Sequence, residues 1–236
     1  MNHAPLRRIR HLALDLDGTV YKGGTLFPFS RPFLERMQAL GIGCTFLTNN
    51  PSKSAADYRA SLAKLGIPCT PDQIYTSSLA TIDWLRRERP QVRRLFALGT
   101  PSMESEFRAA GFALTGDDPR DEPDAVLVGF DLTLTYAKLC RAAWWVKQGK
   151  PFFATNPDLV CPTDQPNVLV DCGSICAAIE KAAGRAPDKV FGKPDPSMLT
   201  GIMARHNLRA DEIAMVGDRI YTDIAMARNA GALGVL

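Results

Sequence analysis

The sequence lacks long apolar runs, a recognisable leader and a concentrated basic surface. None of its apolar runs is long enough to cross a bilayer. The run that follows Arg10 is short and is broken by Asp15 and Asp17, which argues against a signal peptide. The net charge is only +3, and no basic stripe is interleaved with aromatic residues. We therefore expect neither a membrane nor a nucleic acid as a partner.

The sequence also lacks the cysteine spacing of zinc sites. Its six cysteines include no Cys-x-x-Cys pair, and the three histidines lie far from them in the sequence. A chain of 236 residues can bury roughly 70% of its unfolded surface, so its fold requires no disulfide. These features predict a cytoplasmic protein.

Two aspartates stand where the first apolar run ends, in the segment Asp15-Leu16-Asp17-Gly18-Thr19. Since side chains alternate along a strand, Asp15 and Asp17 would share a face if the strand continued. Gly18 indicates a sharp turn instead. Both acids are then expected at the carboxyl end of a strand, where open α/β sheets bind ligands.

Two other interpretations of this pair are open. A calcium-binding EF-hand loop also begins with Asp-x-Asp, but its glycine stands at position six and a glutamate at position twelve. Here the glycine, Gly18, comes fourth. The other interpretation is a pair of solvated acids that cap a turn, which the pair by itself does not exclude.

Three further apolar segments, among them a strand predicted over residues 42–47, end in polar residues suited to phosphate. They lead into Thr48-Asn49-Asn50, into Gly192-Lys193-Pro194, and into Gly217-Asp218 with Asp223 five residues later. An aspartate pair, a Thr/Asn turn, a lysine and a Gly-Asp pair, in this order, resemble the four motifs of the haloacid dehalogenase-like (HAD) superfamily. The resemblance extends over essentially the whole chain.

The resemblance implies a Mg²⁺ site. A phosphomonoester dianion near several carboxylates meets a repulsion of roughly 4 kcal/mol per close charge pair, so a divalent cation must lie between them. Mg²⁺ prefers hard oxygen ligands. By the resemblance, Asp15 and Asp218 bind it through their carboxylates and Asp17 through its backbone carbonyl. Asp223 orients Lys193 or a metal-bound water.

The resemblance also implies a two-step reaction. Asp15 attacks phosphorus to form an aspartyl-phosphate, which divides a slow hydrolysis into two easier steps. Asp17 protonates the leaving oxygen and then deprotonates the attacking water. The phosphoryl oxygens are bound by Lys193, Thr48, Asn49 and Asn50.

The spacing of the motifs leaves room for an inserted cap only between the second and third motifs. The insertion resembles the C2-capped, NagD-like or p-nitrophenyl phosphatase branch, as do the segments at residues 129–139, 154–158 and 217–224. The implied fold is α/β, a Rossmann-like parallel sheet core with an inserted α/β cap of the C2 type. The core is predicted at residues 1–78 and 190–236 and the cap at residues 79–189.

Apolar runs of strand length alternate with helical patterns along the chain, which is typical of βαβ units. The predicted helices include residues 135–148, 174–184 and 220–230. Trp144 and Trp145 on the first of these could stack on a base, pack between lobes or form a dimer contact. The last interpretation allows a homodimer through the cap.

The resemblance assigns substrate selection to the cap loop at residues 156–162, with Asn156, Asp158 and Cys161 as candidates. For Cys161, contact with substrate and plain packing are both open. The next helix is preceded by Val170-Asp171-Cys172-Gly173-Ser174, where the branch usually has Pro-Gly-x-Gly. Because of this departure, the backbone path of the substrate-facing loop is not expected to follow that of the branch. The chain also ends at Leu236, where its relatives continue for roughly one further strand and turn.

The predicted function is hydrolysis of a small phosphorylated metabolite by a Mg²⁺-dependent phosphatase. A phosphotransferase or phosphomutase would use the same aspartyl-phosphate, but the mutases of this family carry their cap between the first and second motifs. A catalytically silent phosphate-binding module would be expected to have lost one of the acids or the lysine, and all are present. Nucleotide monophosphates, sugar phosphates, phosphoglycolate and pyridoxal phosphate all remain candidate substrates.

Overall fold

The chain folds into two compact units in a computed structural model that describes residues 5–161 and 166–236. The first unit comprises Met1–Thr48, Ala55–Thr76 and Gly192–Leu236. The second comprises Asn49–Ser54 and Ser77–Phe191. Pro162, the last residue of the predicted cap loop, lies outside the described residues. The division into a catalytic core and a cap stays a prediction.

The described residues form fourteen strands and eight α-helices. The strands are β1 His11–Asp15, β2 Tyr21–Lys22, β3 Thr25–Leu26, β4 Gly43–Thr48, β5 Ile74–Thr76, β6 Arg94–Leu98, β7 Ala113–Leu114, β8 Ala125–Val128, β9 Phe152–Ala154, β10 Val160–Cys161, β11 Leu169–Val170, β12 Lys189–Val190, β13 Ile213–Val216 and β14 Leu233–Val235. The helices are α1 Ser30–Ala39, α2 Ala55–Lys64, α3 Ser77–Glu88, α4 Pro101–Ala109, α5 Tyr136–Lys147, α6 Cys172–Ala183, α7 Ser197–His206 and α8 Ala225–Asn229. Within the described ranges, no helix combines the length and the apolar character that crossing a bilayer requires.

The first unit is built on a parallel sheet with the strand order β14-β13-β1-β4-β5. Every residue of β1 is buried, as expected for a central strand covered on both faces. Asp15 at the end of β1 is in register with Leu47, and Thr48 follows as the last residue of β4. Because the strands are parallel, the polar residues that follow β1, β4 and β13 belong to one edge of the sheet.

The second unit contains its own parallel sheet, with the order β12-β9-β8-β6-β7. Side chains alternate across it with the period of two that strands impose. Phe96 and Val126 face a cluster that includes residues of α5 and α6. Leu95 and Leu127 face the opposite cluster, which includes residues of α3 and α4. The α/β class predicted from the sequence is therefore confirmed.

Two predicted helices have different boundaries in the structure. Helix α6 begins at Cys172 rather than residue 174, because the Asp171 side chain caps it by accepting a hydrogen bond from the Cys172 amide at 2.6 Å. The helix predicted over residues 220–230 is wrong as a single α-helix. A π-helical turn occupies Ile220–Ile224, and α8 follows it. The short edge strand β5 was not expected, since three residues carry no measurable period.

Candidate active site

The turn after β1 positions the aspartate pair. Asp15 is the last residue of the strand and is only 6% exposed, whereas Asp17 is exposed. Gly18 has a φ of 94°, in the left-handed region that favours glycine. A Cβ at this position would lie 2.7 Å from Cγ of Asp218. A glycine at residue 18 therefore allows the turn and also leaves space for the Asp218 carboxylate.

Lys193 joins two of the acids. Its ammonium group forms an ion pair with Asp15 and a second one with Asp223, whose Oδ1 lies 2.7 Å from Nζ. All three side chains are buried, with at most 9% of each exposed. The lysine therefore has a fixed position beside Asp15, and its charge compensates part of the negative charge there.

The π-helical turn explains how Asp223 reaches this position. The turn directs Asp223 inward, where it is fully buried and its Oδ2 accepts a hydrogen bond from the Arg219 amide at 3.1 Å. A side chain at Gly217 would lie 2.6 Å from Cβ of Asp223, so the backbone and the acid approach closely. Such π-helical turns frequently occur at functional sites.

Three carboxylates could together hold a metal ion. Oxygen atoms of Asp15, Asp218 and Asp223 all lie within 4.8 Å of one another. In an octahedral Mg²⁺ site with bonds of about 2.1 Å, ligand oxygens are about 3.0 to 4.2 Å apart. Hard carboxylate oxygens at this spacing fit Mg²⁺ after small side-chain adjustments. Asp17 is not one of these three residues, because its predicted contribution is a backbone carbonyl and not its carboxylate. That contribution stays a prediction.

The electrostatics of the site reflect burial and crowded charge. Burial raises the pKa of Asp15 from its ordinary value of 3.8 to about 6; Lys193 opposes this shift, and the neighbouring acids add to it. Burial alone would lower the pKa of Lys193, but the charges of Asp15 and Asp223 outweigh it and raise that pKa. Lys193 therefore stays charged at neutral pH. The excess of negative charge favours a divalent cation.

The other predicted phosphate-binding residues lie at the end of β4 or directly after it. Thr48 is buried at the end of this strand and belongs to the first unit. Asn49 and Asn50 come next in the chain and belong to the second unit. There the Asn49 amide donates a hydrogen bond to Asp158 at 3.0 Å, and the Asn50 amide contacts Sγ of Cys161 at 3.8 Å. The roles predicted for all these residues stay predictions.

The three candidates in the cap loop contact Asn49 and Asn50 directly or through one another. Asp158 and Cys161 have the two contacts just described, and Asn156 donates a hydrogen bond to Asp158 at 3.3 Å. Sequence reasoning missed Ser77, whose hydroxyl donates to the Asn49 carbonyl at 2.7 Å. It also missed Asp171, which accepts from Asn156 at 3.0 Å. The only signal for Asp171 was the departure of residues 170–174 from the expected Pro-Gly-x-Gly.

Comparisons with known proteins agree with this geometry. A model of the haloacid dehalogenase-like hydrolase family matches residues 12–113, and an HAD-hydrolase-like model matches residues 190–236. The chain is 32% identical to the ribonucleotide monophosphatase NagD of Escherichia coli (strain K12) over 97% of this chain and 87% of that protein.

Solved structures give the same result. The structure of a 4-nitrophenylphosphatase from Thermotoga maritima superposes with a TM-score of 0.90 at 38% identity, covering 98% of this chain and 86% of that one. A glycerol phosphate phosphatase from Mycobacterium tuberculosis, in complex with magnesium, has a TM-score of 0.84 at 32% identity, covering 97% of this chain and 68% of that one. The protein belongs to the haloacid dehalogenase-like hydrolase family, and it is similar to the NagD-like phosphatases within it. The family prediction made from the four motifs is confirmed.

Proposed function

We propose that this protein hydrolyses a small phosphomonoester through an aspartyl-phosphate formed on Asp15. Its relatives are phosphatases, and the predictions of a phosphoric monoester hydrolase and of Mg²⁺ as its cofactor are confirmed at the level of the family. The observation that carries the assignment to Asp15 is the arrangement in the first unit. There a buried carboxylate at a strand end is paired with a buried lysine and lies close to two further carboxylates.

The residues of the first unit have the properties that this reaction needs. Asp15 is held by Lys193 and by Thr19, whose hydroxyl lies 3.5 Å from Asp15 Oδ2. Lys193 places a permanent positive charge where phosphoryl oxygens would be bound next to the nucleophile. Asp17 is exposed, so it can exchange protons with solvent before it protonates the leaving oxygen. Thr48 supplies a hydroxyl at the same edge of the sheet.

A bound Mg²⁺ would offset the charge between the phosphoryl group and the carboxylates. Asp15 and Asp218 would hold it through their side chains and Asp17 through its carbonyl. Asp223 is engaged by Lys193 and by the Arg219 amide. This supports a role for Asp223 in holding the lysine, which in turn keeps Asp15 in position.

The remaining assignments concern the second unit. We assign residues 79–189 to a cap that selects the substrate, and residues 1–78 and 190–236 to the catalytic core. The cap loop carries Asn156, Asp158 and Cys161, and its contacts with Asn49 and Asn50 support a role close to the second motif. The half-exposed Trp144 supports a homodimer through the cap. All six cysteines, each among the described residues, are free thiols, which supports a cytoplasmic location.

A phosphate-release assay tests the proposal. The wild-type protein and Asp15→Asn are incubated with nucleotide monophosphates, sugar phosphates, glycerol phosphate, phosphoglycolate, pyridoxal phosphate and p-nitrophenyl phosphate, with Mg²⁺ and with a chelator. With Mg²⁺ we expect wild type and a surface control variant to be active and Asp15→Asn to lose activity by several orders of magnitude; with the chelator we expect none of them to be active. The control variant is Asp118→Asn, because Asp118 pairs with Arg120 on the surface of the second unit. Appreciable turnover by Asp15→Asn, purified alongside this control, would contradict the mechanism.

A further inference from the structure

A hydrogen-bonded chain of side chains joins the start of α6 to Asp158. Asp171 is 3% exposed, and its Oδ1 accepts from the Cys172 amide and from the Asn156 side chain. The second N–H of Asn156 is directed to Asp158 Oδ2 at 3.3 Å. Asn156 is fully buried, and its own oxygen accepts from the Thr155 hydroxyl at 3.0 Å. One amide therefore links two carboxylates, and each of its polar hydrogens has a partner.

Backbone contacts hold the same segment against the helix. The Gly173 amide donates to the Asp158 carbonyl at 2.8 Å, and the Asp171 amide donates to the Leu159 carbonyl at 3.0 Å. A side chain at Gly173 would lie 3.0 Å from the Asp158 carbonyl oxygen. The backbone of residues 158–159 is thus fixed at the N-terminus of α6. What remains to be set is the direction of the Asp158 carboxylate.

Two donors set that direction. Asp158 Oδ2 accepts from Asn156 and also from Asn49, which directly follows Thr48 in the chain. Within residues 5–161 and 166–236, Oδ1 of Asp158 has no hydrogen-bond donor. A carboxylate oxygen in this state binds hydroxyl or amine groups and repels other carboxylates.

We propose that Asp171 is a positioning residue for Asp158, and that Asp158 held in this way selects leaving groups with free hydroxyl groups over those with a carboxylate. The inference rests on the proposed phosphatase function. The contact that positions Asp158 begins at the Asp171 carboxylate, to which the Asn156 side chain donates at 3.0 Å. Asn156 transmits it, because loss of the Asp171 oxygen leaves one of its buried N–H groups without a partner and frees the amide to rotate.

The test compares kcat and KM for glycerol phosphate, phosphoglycolate and p-nitrophenyl phosphate. The leaving group of glycerol phosphate carries free hydroxyl groups and that of phosphoglycolate carries a carboxylate. The leaving group of p-nitrophenyl phosphate carries neither. The variants are Asp158→Asn, Asp171→Ala and Asp171→Asn. The matched control is Thr135→Ala, because exposed Thr135 caps α5 in the same unit by accepting from the Lys138 amide at 3.2 Å. Asp171→Ala and Thr135→Ala each lose one helix cap, but only the first loses the contact to Asn156.

We expect wild type to favour glycerol phosphate over phosphoglycolate, and Asp158→Asn to reduce that ratio of kcat/KM by about tenfold or more, the scale of one pocket contact. Asp171→Ala should reduce it by about fivefold through KM, with kcat for p-nitrophenyl phosphate within about twofold of wild type. Asp171→Asn keeps an acceptor for both donors and should restore the wild-type ratio. Thr135→Ala should leave the ratio unchanged.

Two results would overturn the inference while the proposed function stands. One is a wild-type enzyme that prefers phosphoglycolate. The other is an Asp171→Ala variant that shifts the ratio no more than Thr135→Ala does, since that would reduce Asp171 to a helix cap. A wild-type protein that hydrolyses other esters of the wider panel but none of these three would overturn this inference alone, whereas one that hydrolyses no ester of the panel would overturn the phosphatase function as well. A side-chain amide NMR signal of Asn156 that is identical in wild type and Asp171→Ala would exclude positioning regardless of activity.

Discussion

At the residue scale, the proposed mechanism assigns different tasks to two neighbouring aspartates in different environments. Asp15 is buried, its pKa is raised to about 6, and it is paired with Lys193. Asp17 is exposed two residues later. Different environments suit different tasks, because a nucleophile must be held in place whereas a general acid must gain and lose protons.

Replacement of Asp17 by Asn should therefore reduce the rate of phosphorylation to an extent that depends on the leaving group of the substrate. Good leaving groups need little protonation, so Asp17→Asn should slow the phosphorylation step for alkyl phosphates by about 10²–10⁴-fold and that for p-nitrophenyl phosphate much less. Single-turnover kinetics measure this step directly. Equal losses on both kinds of ester would argue against Asp17 as the acid.

Gly18 offers a second prediction at this scale. Gly18 and Gly41 are both exposed and both have positive φ, 94° and 70°, but only Gly18 faces another group, the Asp218 carboxylate. Gly18→Ala and Gly41→Ala should each lose about 1–2 kcal/mol of stability from backbone strain. Only Gly18→Ala should displace Asp218 and raise the Mg²⁺ concentration for half-maximal activity. Titration of phosphate release with Mg²⁺ measures this, and equal Mg²⁺ dependence in both variants would refute the proximity argument.

At the element scale, a histidine pair lies where β1, β4 and α7 meet. His11 of β1 is 6% exposed and its Nε2 lies 2.8 Å from the Thr45 hydroxyl on β4. Its ring lies 4.4 Å from that of His206 on α7, measured between centroids. Burial, together with the charge of His206, lowers the pKa of His11 from 6.5 to about 4.

This lowered pKa predicts acid sensitivity of the first unit. The folded state prefers neutral His11, so the unfolded state binds more protons below pH 6.5 and stability falls as the pH drops from 6.5 towards 4. The full difference amounts to about 3 kcal/mol. His11→Gln retains a partner for Thr45 and should remove this part of the slope. Urea unfolding of both proteins between pH 4 and 8 measures it, and identical slopes would contradict the assignment, since contributions from carboxylates cancel in the comparison.

The elements also show which parts of the fold the sequence could predict. The strand predicted over residues 42–47 and the helix over residues 135–148 agree with β4 and α5 to within one residue at each end. Long periodic segments of this kind carry a clear signal. The π-helical turn at Ile220–Ile224 carries no such signal, because its apolar residues have the spacing of an ordinary helix. Only the contacts of Asp223 with Lys193 and with the Arg219 amide show why the turn widens.

At the scale of the whole molecule, the metal site proposed at Asp15, Asp17 and Asp218 should link Mg²⁺ binding to stability. Mg²⁺ at about 100 times its Kd should stabilise the folded protein by about 2.7 kcal/mol. For a chain of this size that corresponds to an increase in Tm of roughly 5–10 °C. Asp218→Asn should abolish the increase. The variant should be no less stable than wild type without metal, because it removes a charge from the crowded carboxylates. Thermal scans with Mg²⁺ and with a chelator measure both effects, and an unchanged Mg²⁺ response in Asp218→Asn would exclude Asp218 as a ligand.

The sequence by itself determined the family, the α/β class and the kinds of side chain that end the strands of the core, because these are encoded in short motifs and in local periodicity. Only the tertiary structure decided which of these side chains meet. Lys193 pairs with Asp15 across 178 residues of chain, and Asn156, which also contacts Asp158, donates to Asp171 across a separation of 15. Such contacts depend on strand order and on where a helix begins, which local patterns do not contain. For this reason the four family motifs were visible in the sequence, whereas the hydrogen bonds that join Asp158 to Asp171 through Asn156 became visible only in the fold.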